Sequence, residues 1–223
     1  MTNGQILVAP SILSADFANM AKAVKDIEEW GGDWIHCDVM DGHYVPNLTF
    51  GMPMIKALRA RTDMVLDVHL MIEKPEKYVE EFVKCGADYL TFHPEASENA
   101  EGVLDTVRSL GIKCGLAFNP DVDIKKYEKL FDKCDLITVM SVFAGYGGQK
   151  FIEASYERVE YIKGYILKNG LTAKIEVDGG VNTDNIEKLR ALGVDVVVAG
   201  SAVFKSPTPA KTIAALQGVS KIE

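Results

Sequence analysis

Short runs of apolar, strand-favouring residues recur along the chain: ILVAPSIL (6–13), WIHCDVM (34–40), MVLDVHLM (64–71), DYLTFH (88–93), KCGLAF (113–118), LITVMSV (136–142), KIEVDGG (174–180) and VVVAGSAVF (196–204). Between most of them lie amphipathic stretches with apolar residues at helical spacing and often a Gly or Asn near the end. These are NMAKAVKDIEEWG, PEKYVEEFVKCG, GVLDTVRSLG, IKKYEKLFDKC and TDNIEKLRALG. Strands that alternate with helices pair in parallel. Eight such units in 223 residues predict a single-domain (β/α)8 TIM barrel of the α/β class over residues 1–223, because an open doubly wound sheet usually has fewer strands and a GxGxxG turn after the first. Here the first strand runs into PSILSADF instead.

The pattern breaks where polar residues enter the strands. In WIHCDVM, side-chain alternation sends His36, Asp38 and Met40 to one face and Cys37 and Val39 to the other. His69 sits in the third strand, Asp178 ends the seventh, and His43 and His93 fall just past strand ends. In a barrel these C-terminal strand ends form the functional face. A buried carboxylate needs a partner, a metal ion or a shifted pKa. His36, Asp38, His69 and Asp178 make a mixed nitrogen and oxygen set suited to Zn²⁺, Mn²⁺ or Fe²⁺. A hydrogen-bonded network without metal satisfies the same residues, and spacing does not choose between the two.

Three consecutive glycine-bearing loops follow the last strands: AGYGGQ (144–149), DGGV (178–181) and AGSAVF (199–204). Glycines let backbone N–H groups approach a ligand, and the loops after strands seven and eight commonly hold phosphate in this fold. Met40, Met71 and Met140 fall near strand ends, and parity turns the first two toward the same mouth, where the three are expected to form a lid.

Composition narrows the partners. A net charge of −8 disfavours nucleic acid and anionic membranes, so an anionic small molecule is expected to be held through local backbone donors. Hydrophobic content of 48% with 25% charged residues fits a globular chain without membrane spans, and the N-terminal stretch lacks the features of a secretory signal. The expected location is the cytoplasm. Cys37, Cys85, Cys114 and Cys134 lack metal-motif spacing and are expected to be reduced, buried thiols.

The segments APSILSADF, HCDVMDGHYVPNLTFG, DVHLMIEKPEKYVEEFVKCGAD, FHPEA, GYGGQKF, IEVDGGV and AGSAVF, taken in order, resemble the ribulose-phosphate 3-epimerase family over nearly the whole chain. The resemblance implies an isomerase of carbohydrate metabolism, in the pentose phosphate pathway. Its members are (β/α)8 barrels that interconvert D-ribulose 5-phosphate and D-xylulose 5-phosphate by two-base proton transfer at C3 through an enediolate. It also implies one divalent metal per chain, with Zn²⁺ as the first expectation and Fe(II), Mn or Co as alternatives. Carried over by position, His36, Asp38, His69 and Asp178 are the implied ligands, and Asp38 and Asp178 the implied acid/base pair. Ser11 and His69 are implied substrate contacts, Gly145, Tyr146, Gly147, Gly148, Gly179, Gly180, Gly200 and Ser201 the implied phosphate loops, and Met40, Met71 and Met140 the implied cap. Expected partners are a sugar phosphate and further copies of the chain. One departure is that Phe143 and Ala144 precede GYGG where the family usually has Asn-Pro or Asp-Pro. Losing that proline widens the loop's unfolded ensemble. It leaves open an allulose 6-phosphate 3-epimerase or, from another class, a catalytically silent sugar-phosphate-binding barrel.

Overall fold

In the computed structural model, residues 5–219 are described, so the extreme ends of the expected 1–223 domain lie outside the described residues. The strands are β1 (Leu7–Ala9), β2 (Trp34–Met40), β3 (Val65–Met71), β4 (Tyr89–Phe92), β5 (Lys113–Phe118), β6 (Leu136–Met140), β7 (Lys174–Asp178) and β8 (Val196–Val198). Every named pairing is parallel, in the order β1-β8-β7-β6-β5-β4-β3-β2. The ring closes where the His36 amide donates to the Pro10 carbonyl at 3.1 Å and the Asp33 amide donates to the Val8 carbonyl at 2.9 Å. The expected barrel is therefore formed.

Barrel closure buries both faces of each strand, which is why all of β2 is buried, polar residues included. Ile35, Cys37 and Val39 face outward into the main core beneath the helices. Trp34 packs on the inner face with Ala9, Leu136, Val196 and Val198, and its ring stacks on Tyr89 at 4.6 Å. This apolar plug fills the lower barrel, so the inward polar residues of β2 lie above it. Register then groups side chains across strands: His36 pairs with Asp67, Asp38 with His69, and Met40 with Met71.

The surrounding helices follow the expected stripes. Helix α1 (Met20–Trp30) buries Met20, Ala23, Val24 and Ile27, and ends at Gly31, whose φ of 81° lets its N–H reach back to the Ile27 and Glu28 carbonyls. Helices α2 (Met52–Arg59), α3 (Val79–Lys84), α4 (Ala100–Ser109), α5 (Ser155–Asn169), α6 (Ile186–Ala191), α7 (Ser201–Phe204) and α8 (Pro209–Gln217) complete the set. IKKYEKLFDKC is not an α-helix: it makes two 3-10 segments, Ile124–Lys126 and Glu128–Lys133. Asp123 caps the first, and Tyr127, at φ −116° and ψ 0°, leaves the helical region between them. The first and last strands are also shorter than their apolar runs. Ser11 caps a 3-10 turn over Ile12–Ser14, and the tail of VVVAGSAVF becomes α7. No helix among the described residues is long and apolar enough to cross a membrane. All four cysteines are free, but Cys85 is only half-buried.

Candidate metal and sugar-phosphate site

The C-terminal ends of β2, β3 and β7 bring His36, Asp38, His69 and Asp178 together, with one ligand-capable atom from each lying within 4.8 Å of the others. His36 Nε2 is 3.3 Å from Asp38 Oδ1 and 3.7 Å from Asp178 Oδ2. His69 Nδ1 is 3.6 Å from each of the same two oxygens. Both histidines are fully buried, yet His36 Nε2 and His69 Nδ1 make no hydrogen bond. Leaving two buried ring nitrogens unsatisfied is costly unless something lies between them and the carboxylates. The spacing suits a small cation, since ligand bonds of about 2.1 Å set neighbouring donors roughly 3 to 4 Å apart. The residues present therefore fit a divalent metal of the borderline type.

Both histidines are oriented from behind. His36 Nδ1 is 2.6 Å from Asp67 Oδ2, which holds a proton there and leaves Nε2 as the nitrogen turned to Asp38 and Asp178. Beneath lies Glu176, whose Oε1 accepts from Thr138 Oγ1 at 2.9 Å. Burial and the neighbouring Asp67 charge push the Glu176 pKa well above the usual carboxylate range, so it holds its proton. One layer down, then, His36 pairs with Asp67 and Thr138 with Glu176, while Asp67 Oδ1 and Glu176 Oε2 make no hydrogen bond. His69 Nε2 is 2.9 Å from His93 Nε2. Burial holds the His93 pKa down at about 4, so that ring is neutral.

Electrostatics favour an ionised Asp38 above. Burial opposes charge on Asp38, but His36 and His69 overcome it and hold the carboxyl far below its usual range. Burial likewise works against charge on His36 and His69. Asp38 and Asp67 outweigh it at His36, Asp178 and Asp38 at His69, and both pKa values rise. Ser11 Oγ donates to Asp38 Oδ2 at 2.5 Å and accepts from the Leu13 amide, fixing the second carboxylate oxygen.

Above this cluster opens a cleft of about 570 Å³ including its mouth. Ser11, Asp38, Met40, Met71, Met140, Gly145, Tyr146, Gly147, Gly148, Asp178, Gly179, Gly180, Gly200 and Ser201 all line it. Of the residues expected from sequence, only His36 and His69 sit behind this surface. Met40 and Met71 cluster with Val45 beside Leu13, Tyr44 and Ala144, as parity predicts. His43 is exposed and does not line the cleft. Gly179 (φ 116°) and Gly180 (φ 65°) take up conformations that other residues rarely adopt. A Cβ at Gly179 would lie 2.3 Å from Val142 Cγ2, and one at Gly180 2.5 Å from the Phe151 amide nitrogen.

The loop after β6 is pinned from several sides. Tyr146 Oη donates to the Pro46 carbonyl at 2.9 Å, and Asn47 Nδ2 to the Gly145 carbonyl at 2.8 Å. Gln149 Nε2 reaches the Phe143 and Tyr146 carbonyls at 2.7 and 2.8 Å. Asn119 Oδ1 accepts from the Ala144 amide at 3.0 Å. These side chains supply the restraint that a proline at this position would provide.

A family model described as "Ribulose-phosphate 3 epimerase family" matches residues 7–204. The chain belongs to that family. Relatives named ribulose-phosphate 3-epimerase include one from Synechocystis, 44% identical, with 98% of this chain and 96% of the relative covered. The Bacillus subtilis relative is 43% identical over 96% of this chain and 99% of its own length. That of Mycobacterium bovis is 42% identical over 97% and 93% respectively. These relatives are epimerases, enzymes of the isomerase class, and this chain is an epimerase-family enzyme by homology. Among solved structures, a mutant tryptophan synthase alpha-subunit from Pyrococcus furiosus superposes with a TM-score of 0.70 at 15% identity, covering 96% of this chain and 98% of that one. KGPDC from Streptococcus mutans gives 0.71 at 12%, covering 96% and 97%. At such identities these two support the barrel fold alone.

Sequence reasoning singled out most of the cleft but missed Asp67, His93, Asn119, Ser14 and Gln149. Asp67 carried a usable signal, since it lies two residues before His69 and so shares its face. FHPEA displayed His93 without giving it a task.

Proposed function

We propose that this chain is a divalent-metal-dependent 3-epimerase that interconverts D-ribulose 5-phosphate and D-xylulose 5-phosphate. The observation that carries the reading is the pair of buried, unbonded nitrogens, His36 Nε2 and His69 Nδ1, facing Asp38 and Asp178 at the floor of a glycine-walled cleft. His36, Asp38, His69 and Asp178 would hold the metal. Bound there, it would supply a Lewis acid that stabilises negative charge on the sugar oxygens next to C3.

Asp38 takes the C3 proton in the ribulose direction, and Asp178 delivers one to the other face; in reverse the roles exchange. The two carboxylates come from β2 and β7, which β1 and β8 separate in the ring, so they approach a bound sugar from different sides. Asp38 lines the cleft in its ionised form, the form that can accept a proton. Ser11 steadies it through the oxygen turned away from the histidines. Backbone N–H groups around Gly179, Gly180, Gly200 and Ser201 receive the phosphate, which reconciles an anionic substrate with a chain of net charge −8. Met40, Met71 and Met140 exclude water above the reacting carbon.

The test is turnover of ribulose 5-phosphate after chelation and dialysis, followed by separate addition of Zn²⁺, Mn²⁺, Fe²⁺ and Co²⁺. Activity is expected to vanish on chelation and return with metal. Undiminished turnover by metal-free protein would overturn the metal assignment. Allulose 6-phosphate turned over faster than ribulose 5-phosphate would move the substrate to the longer sugar.

A further inference from the structure

His69 shows only Nδ1 to Asp38 and Asp178; its Nε2 faces His93 Nε2 at 2.9 Å. Once His69 gives up the second proton that its acidic neighbours favour in the metal-free chain, the two neutral imidazole nitrogens in contact share one proton, so one ring donates and the other accepts. The direction decides whether His69 Nδ1 is bare. It is set further along the rim. The remaining His93 nitrogen, Nδ1, faces Glu95 Oε1 at 3.5 Å and has no regular hydrogen bond. His93 is buried, and the partly exposed Glu95 carboxylate at that distance attracts the ring proton to Nδ1 and leaves Nε2 bare. Glu95 Oε1 also accepts from Tyr44 Oη at 2.7 Å. With its own proton committed, Tyr44 Oη accepts from Asn119 Nδ2 at 2.7 Å. That turns Asn119 Oδ1 toward the Ala144 amide, from which it accepts at 3.0 Å. Every donor and acceptor is then assigned, and none conflicts.

We infer that His93, Glu95, Tyr44 and Asn119 form a positioning chain that holds His69 in the tautomer with a bare Nδ1 and ties it to the loop after β6. Its members come from the loops that follow β2, β4 and β5, and its far end is backbone of the loop after β6, so it runs along the barrel rim. Rings lie close along the same path, tilted to one another, His69 by His93 at 5.0 Å and His93 by Tyr44 at 4.7 Å. Its consequence for metal binding rests on the metal reading under Proposed function, whereas the tautomer does not.

Glu95 sets the direction because a carboxylate only accepts. Glu95→Gln keeps the shape but adds an amide donor, which lets His93 Nδ1 accept and the proton move to Nε2, against His69. In a chelator-competition titration Glu95→Gln is expected to bind Zn²⁺ roughly 10- to 100-fold more weakly than the parent chain. Tyr44→Phe leaves the Glu95 charge in place and cuts only the link to the loop. It is expected to keep Zn²⁺ affinity within about threefold while KM for ribulose 5-phosphate rises. A purely structural role would not divide the two effects between the two variants. ¹⁵N spectra of the parent chain, recorded with and without Zn²⁺, should show His93 protonated on Nδ1. A proton on His93 Nε2, or parental Zn²⁺ affinity in folded Glu95→Gln, overturns the chain. If the parent binds no Zn²⁺ at all, the metal reading fails, and the His93 tautomer in the same metal-free sample, brought to a pH at which His69 is neutral, still decides the inference.

Discussion

Asp178 and Asp38 share two histidine neighbours, but only Asp38 has Ser11 fixed on its second oxygen. If the two work on opposite faces of C3, Asp178→Asn retains an oxygen ligand and loses the proton carrier. Epimerisation should fall by roughly 10²- to 10⁴-fold or more. Exchange of the C3 proton with solvent deuterium in recovered substrate should outlast epimer formation, because Asp38 still removes and returns a proton on its own face. Normal epimerisation in this variant would refute the two-base assignment. At Gly179 the backbone φ of 116° and the nearness of Val142 both oppose a side chain. Gly179→Ala is therefore expected to raise KM for the sugar phosphate strongly with Zn²⁺ affinity nearly unchanged, as read by steady-state kinetics beside a metal titration. At this scale His36, Asp38 and Met40 were legible, because alternation alone puts them on one face. The two bare nitrogens were not, since a tautomer depends on partners 31 and 24 residues away in sequence.

Among the elements, the loop after β6 depends on side-chain staples more than on its own backbone. Gln149 ties the Phe143 and Tyr146 carbonyls together at the surface. Each exposed bond contributes at most about 1 kcal/mol, so Gln149→Ala should leave the melting temperature nearly unchanged. Loosening the loop should nevertheless raise KM for ribulose 5-phosphate several-fold, with a smaller change in kcat. Equal losses in both would place the loop in the chemical step instead. The strands were readable as apolar runs, and so was α1 from its buried positions at 20, 23, 24 and 27. IKKYEKLFDKC misled because its helical spacing is real, yet the Asp123 cap and the backbone break at Tyr127 divide it. The loss of proline before GYGG suggested a looser loop. Asn47 and Asn119, drawn from two other loops, restrain it together with its own Gln149, and no local pattern ties the two asparagines to it.

For the molecule as a whole, the buried histidines should make metal-free protein lose stability above about pH 6.5. Below that, His93, with its folded pKa near 4, binds fewer protons folded than unfolded, a rise with pH that the extra proton held by folded Glu176 offsets. His36 and His69 have raised folded values; their contribution is complete below about 6.5 and is lost as pH rises through those values. Melting temperatures across pH should show this fall without metal. With Zn²⁺ it should flatten, since the ion replaces the protons as partner of the two nitrogens. Metal at about 100 times its dissociation constant adds about 2.7 kcal/mol, which for a chain of this size raises the melting temperature by roughly 5 to 10 °C. A metal-insensitive melt would count against the site.

The sequence by itself determined the eight-fold strand and helix alternation, the inward face of β2, and the glycine-bearing loops at the ends of β6, β7 and β8. All of these follow from periods of two or about 3.6 residues and from the special freedom of glycine, which are properties of neighbouring positions. Tertiary structure alone decided that His36 leans on Asp67 and His69 on His93. Closing the ring sets the register between strands distant in sequence, and the apolar plug of Trp34, Leu136 and Val196 lifts the polar layer to the mouth. Which side chains then share a proton, and which nitrogens are left without one, depends on distances of about 3 Å between separate strands and loops, a scale on which local periodicity carries no information.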